Sequence, residues 1–194
     1  MVLCLLSLAW ADLPLALYFA DGAARWAFMG DTFNSPVLIG LITLVIAPLL
    51  LLRLMRGTLS DFAETVIVAG SAALGAFTVS DFVLKRLFGR DGVIQYLIAP
   101  ETAGFHFFHG SPYSSFPSGH SVMVATALFV FARVYPNRLP LVLGALAVMA
   151  VLLLVGNWHF LSDILAGMFL GAFAGSLAGE LARSHFERRR TTTF

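Results

Sequence analysis

The chain has 194 residues, 59% of them hydrophobic and only 12% charged, against about 25% charged in ordinary soluble domains. That composition, with a mean hydropathy of +0.87, excludes a soluble globular protein. A formal net charge of +1 excludes a nucleic-acid partner, which would need a basic face, and a single cysteine, Cys4, excludes an intrachain disulfide.

The length suits one all-α bundle of about six transmembrane helices at roughly 20 residues per span. No shift in composition marks a second domain, so residues 1–194 read as one membrane domain. Apolar windows place the spans at 2–20, 36–54, 62–84, 119–134, 139–157 and 163–182. The first lacks the basic leader of a signal peptide and reads as an uncleaved helix, interrupted by Asp12 and Pro14. Between the first two spans, residues 21–35 carry Arg25, Trp26, Phe28 and Met29 and read as an interfacial helix or an ordinary loop.

Six spans put the N-terminus, the 53–61 and 133–138 turns and the C-terminal tail on one side. That side holds Arg53, Arg56, Arg133, Arg138, Arg183, Arg188, Arg189 and Arg190, whereas the other holds Arg25, Lys85, Arg86 and Arg90. The positive-inside rule places the richer side in the cytoplasm. The expectation is a multi-pass protein of the cytoplasmic membrane whose other side faces the periplasm or its equivalent.

Three polar clusters fall on that outward side. At the end of the third span Asp81 and Lys85 share a helical face and are followed by Arg86, Gly89 and Arg90. The fourth span opens with Pro117-Ser118-Gly119-His120, within the run SPYSSFPSGHSV. Asn157-Trp158-His159-Phe160-Leu161-Ser162-Asp163 precedes the sixth. Ionisable groups at membrane depth are costly and default to function, and a helix start attracts anions.

The clusters complement one another around a phosphoryl group, which needs cations and N–H donors on its oxygens, a nucleophile in line and an acid for the departing oxygen. Lys85 and Arg90 supply cations; Ser118 and the N–H of Gly119 supply donors. His159 has Asp163 four residues on, a carboxylate able to take one ring N–H and sharpen the other nitrogen as nucleophile. His120, with no evident carboxylate partner, suits general-acid work.

Lys85 with Gly89-Arg90, then Pro117-Ser118-Gly119-His120, then His159 with Asp163 resemble in order and spacing the three-part signature of the type 2 phosphatidic acid phosphatase family, whose site is related to that of vanadium haloperoxidases. The resemblance spans residues 70–182. It implies a six-helix bundle with an outward-facing site that uses no metal or other cofactor and acts on a phospholipid or polyprenyl phosphate. It also implies a phosphohistidine on His159, orientation of that ring by Asp163 and protonation of the leaving group by His120. Two family arginines are absent: Gly92-Val93 stands where the family has Arg-Pro, and Leu153 stands six residues before His159. Each preorganised donor lost without replacement costs about 3 to 4 kcal/mol. Arg90 is the candidate substitute for the first; Asn157 and Arg86 are the only candidates for the second.

The linker between Arg90 and Pro117 is dense in aromatics, Tyr96, Phe105, Phe107, Phe108 and Tyr113, with His106 and His109 among them, and reads as an interfacial belt or a lid over a headgroup. Gly167, Gly171, Gly175 and Gly179 form a strict stripe on the last span, a surface for close helix packing. Gly70, Ala73 and Ala76 on the third span are its candidate partner, and contact between two copies of the chain is the alternative use. Competing functions are a phosphotransferase, a non-catalytic lipid-binding or transport protein of the same fold, and a zinc hydrolase using His120, His159 and Asp163 with His106 or His109.

Overall fold

A computed structural model describes residues 2–20, 34–100, 103–109 and 114–191. The expected interfacial helix, with Arg25, Trp26, Phe28 and Met29, lies outside the described residues apart from its last two positions, as does Tyr113.

The described residues form helices α1 (Val2–Ala20), α2 (Ser35–Arg56), α3 (Asp61–Phe88), α4 (Val93–Ile98), α5 (Gly119–Val134), α6 (Pro136–Val155, opening in a 3-10 turn) and α7 (Leu161–Thr191). Local chemistry sets their ends. Asn34 caps α2 by accepting from the Val37 N–H, and Gly57, at φ +76°, ends it. Ser60 caps α3 by accepting from Ala63, with Asp61 and Glu64 in the first turn against the helix dipole. Gly89, at φ +55°, stops α3.

Among the described residues five helices, α1, α2, α3, α6 and α7, are long and apolar enough to cross a bilayer. The sixth expected span, α5, has 16 residues, about 24 Å of helix, short of a typical hydrocarbon core of about 30 Å. It packs against α3, α6 and α7. All-helical membrane architecture is thus present, with α3, α5 and α7 in mutual contact, α2 laid on α3, α6 on α5, and α1 on the N-terminal end of α7. The outer helices present apolar side chains to their surroundings, among them Leu44, Leu51 and Leu54 on α2 and Leu141, Val148 and Val151 on α6, as lipid-facing helices do.

Two helices run longer than their apolar windows. α3 continues past Leu84 through the cations Lys85 and Arg86. α7 continues through the basic tail to Thr191 because no breaker intervenes, Phe186 is buried, and Arg183 pairs with Glu180 and Glu187 along the helix. Arg190 reaches Asp61 and Arg53 reaches Glu64, so the arginine-rich turns gather at one end of the bundle.

The glycine stripe is occupied within the chain. A Cβ on Gly167 would fall 2.6 Å from the Ser118 carbonyl, on Gly171 2.6 Å from that of Val122, and on Gly175 2.3 Å from that of Thr126, while on Gly179 it would fall 2.7 Å from the Arg133 Cβ. The partner is therefore α5 rather than the third span, whose Gly70 faces Ile46 and Ile42 of α2. All four striped glycines are buried in this contact.

α1 and α3 each contain one π-turn, at Ser7–Ala11 and at Ser80–Leu84. Each immediately precedes a charged side chain, Asp12 and Lys85. Such turns shift helix register and recur at functional sites.

Candidate active site

The three polar clusters meet at the end of the bundle opposite the arginine-rich turns. α5 starts there because Ser118 caps it, taking bonds from the Ser121 N–H at 3.3 Å and the Ser121 hydroxyl at 3.1 Å. Ser118 is fully buried, and its own N–H donates to the Asp163 carbonyl at 3.1 Å. The residue expected to donate to phosphate is placed as a cap and as a tie to α7. Gly119 follows with no room for a side chain: a Cβ would sit 2.8 Å from the Phe77 ring and 3.7 Å from Lys85 Nζ. The Lys85 ammonium therefore lies beside the first turn of α5, paired with Asp81 at 2.7 Å one turn back on α3.

His120 and His159 face one another with ring centroids 5.8 Å apart, and Trp158 stands 6.4 Å from His120. His159 comes from the irregular turn between α6 and α7, where Asn157 takes a left-handed φ of 56°. Asp163 is fully buried. Its carboxylate is 3.8 Å from His159 Nδ1, too far for a direct bond. Ser115 fills the gap: its hydroxyl donates to Asp163 Oδ2 at 2.5 Å and lies 3.1 Å from His159 Nδ1. A serine has one proton to give, so with that proton on Asp163 the Nδ1–H of His159 donates to Ser115 and the Nε2 lone pair is left for chemistry. The expected direct pair is a three-membered relay. Ser115 was missed because, within SPYSSFPSGHSV, nothing distinguishes it from a loop serine.

Arg90 is placed differently from its expected phosphate-binding role. Its buried guanidinium donates through Nη1 to Asp163 Oδ1 at 2.5 Å and the Ser162 hydroxyl at 2.6 Å, and through Nη2 to Asp12 Oδ2 at 2.8 Å. Phe160 and Phe105 cover its faces at 4.1 and 5.1 Å. A cation held by two carboxylates between two rings is not available to stand in for an arginine at Gly92, which here caps α4. Leu153 is buried and apolar, Asn157 spends its amide on the Ala16 carbonyl at 2.9 Å, and exposed Arg86 lies over the Phe82 ring. None of these supplies the second arginine.

The described part of the linker folds back on the end of α3 and on Arg90. Gly89 accepts from the His106 N–H and Leu87 from that of Phe108, and Arg90 accepts from Ser115. A side chain on Gly89 would strike the His106 carbonyl. Phe105 and Phe107 stack, and both Phe105 and Phe88 meet Phe116 edge-on, while Phe108 is exposed. The aromatics thus divide between packing over Arg90 and facing outward. His106 Nε2 bonds Asp91 at 2.7 Å and His109 bonds a backbone carbonyl. Among the described residues no three His, Cys, Asp or Glu side chains gather as a metal would require, so the zinc set is not assembled.

A family model described as the PAP2 superfamily matches residues 64–184, well over half the chain. The chain belongs to the PAP2 superfamily. Comparison with curated proteins and with solved structures gave no match. The PAP2 match runs from the first turns of α3 into the last turns of α7 and contains every site residue named above except Asp12, and membership supports phosphatase-type chemistry on phosphate esters. The two imidazoles, the lysine beside a helix start and the buried carboxylate linked to one imidazole through Ser115 lie together at this end of the bundle.

Proposed function

We propose that this PAP2 protein hydrolyses a lipid phosphate or diphosphate in two steps through a phosphohistidine on His159. The observation that carries the reading is the 5.8 Å separation of the two imidazoles, one of them backed by Ser115 and Asp163. In the first step His159 Nε2 bonds to phosphorus while the ester P–O bond breaks and His120 gives its proton to the departing oxygen. In the second, water adds to phosphorus as the P–N bond breaks, and its proton passes to His120. Lys85 and the opening turn of α5 hold the non-bridging oxygens. The grouping of arginines at the far end of the bundle supports an outward-facing site on a cytoplasmic membrane.

The purified full chain should release phosphate from at least one of phosphatidic acid, phosphatidylglycerophosphate, a polyprenyl diphosphate and lipid A. Release should survive a chelator and stop with vanadate, which adopts the five-coordinate shape of the transferring group. Loss of activity with chelator would favour a metal mechanism. No release from any of the four would favour a lipid-binding protein, a reading that the apolar residues at Gly92 and Leu153 make specific to this chain.

Lys85→Ala should lower kcat/KM by about 10- to 100-fold, the range for one charge-assisted bond, and a titration of phosphate as competitive inhibitor should show the same loss. An unchanged inhibition constant would remove Lys85 from the phosphate site.

A further inference from the structure

α1 lies outside the family match, yet its one buried face is turned to the site. Cys4 donates to the Ser162 carbonyl, the Ala16 carbonyl accepts from Asn157, and Asp12 is buried between them. A carboxylate midway along an apolar helix is costly unless its bonds are made. Asp12 has four: Arg90 Nη2 at 2.8 Å, the Ser162 N–H at 2.9 Å, the Ser162 hydroxyl at 2.5 Å and the Ser7 hydroxyl at 2.7 Å. The π-turn makes the last of these. In an α-helix residues five apart diverge by about 140°, whereas here the Asp12 N–H bonds the Ser7 carbonyl and the Ser7 hydroxyl meets Asp12 Oδ1.

Asp12 thereby fixes how Arg90 is shared. One guanidinium nitrogen goes to Asp12 and the other to Asp163 Oδ1, which leaves Asp163 Oδ2 for Ser115 and the Phe160 N–H. With Asp12 neutral, both nitrogens would be free to close a two-pronged fork on Asp163, the arrangement guanidinium and carboxylate prefer. That fork would draw Oδ2 away from Ser115 and leave the His159 Nδ1–H without its aligned acceptor. We propose that Asp12 is a positioning residue for the nucleophile, acting through Arg90, Asp163 and Ser115 to hold the His159 ring. The proposal rests on the reading of His159 as nucleophile.

The test uses the full chain in nanodiscs, with phosphatidic acid micelles as the kinetic probe and ¹⁵N-histidine labelling for the ring tautomer. Asp12→Asn should leave KM within twofold and lower kcat by about 10- to 100-fold, the coupling expected within one hydrogen-bonded network. The protected Nδ1–H signal of His159, identified by its loss in His159→Ala, should disappear in Asp12→Asn. An unchanged signal would overturn the proposal, as would an unchanged kcat. Retained turnover in His159→Ala would instead defeat the nucleophile reading, and the ring signal would still decide whether Asp12 orders His159. If Asp12→Asn does not fold, Ser7→Ala carries the same test, with kcat lowered about 2- to 10-fold at constant KM and the ring signal broadened; no change in either would overturn the proposal.

Discussion

Replacing His159 by alanine should reduce turnover by at least about four orders of magnitude, since removing a covalent nucleophile removes the pathway rather than one contact in it. The folded bundle should survive the change. The His159 ring belongs to no core cluster, and its side chain sits at the mouth of the site, 12% exposed. Helical content and melting temperature should match the unaltered protein while phosphate release and acid-labile phosphate on the protein both vanish. More than a tenth of the activity remaining would defeat the assignment.

His120→Ala should lower kcat by about 100- to 10,000-fold, the usual contribution of a positioned acid. The deficit should depend on what departs. A lipid alkoxide or glycerol oxygen needs a proton as the ester bond breaks, whereas a nitrophenolate does not. The variant should therefore lose far more activity on a lipid phosphate than on a nitrophenyl phosphate. Equal losses on both would show that His120 binds the phosphate instead of protonating the leaving group. Because its ring lies against Trp158 and His159 at the start of α5, the change removes little packing.

The parts of this molecule legible in the sequence are those written locally. Apolar windows located every long helix to within a few residues, save where a helix carried on into polar sequence, as α7 does after Ala182. Spacing brought Lys85, His120, His159 and Asp163 to one end of the bundle, where they are found. Helix pairing was not legible. A stripe of small residues announces that some backbone comes close without saying which, and α5 offers Ser121, Ala125 and the carbonyls of Val122 and Thr126 rather than a stripe of its own. Nor was the destination of Arg90, since a guanidinium finds its carboxylates through the fold and one of them is 78 positions away. Asp12 carried a usable signal as an acid inside an apolar helix. In hydropathy it registers only as an interruption of the first span, because the π-turn that aims it leaves no mark there.

The backbone contact between α5 and α7 has a consequence for how the protein sits among lipids. The two helices that carry or flank the histidines meet glycine against backbone carbonyl along three successive turns, so they are expected to be displaced together. A change in bilayer thickness should therefore reach the spacing of the imidazoles through α6, whose end leads into the turn that carries His159, rather than through the seam between α5 and α7.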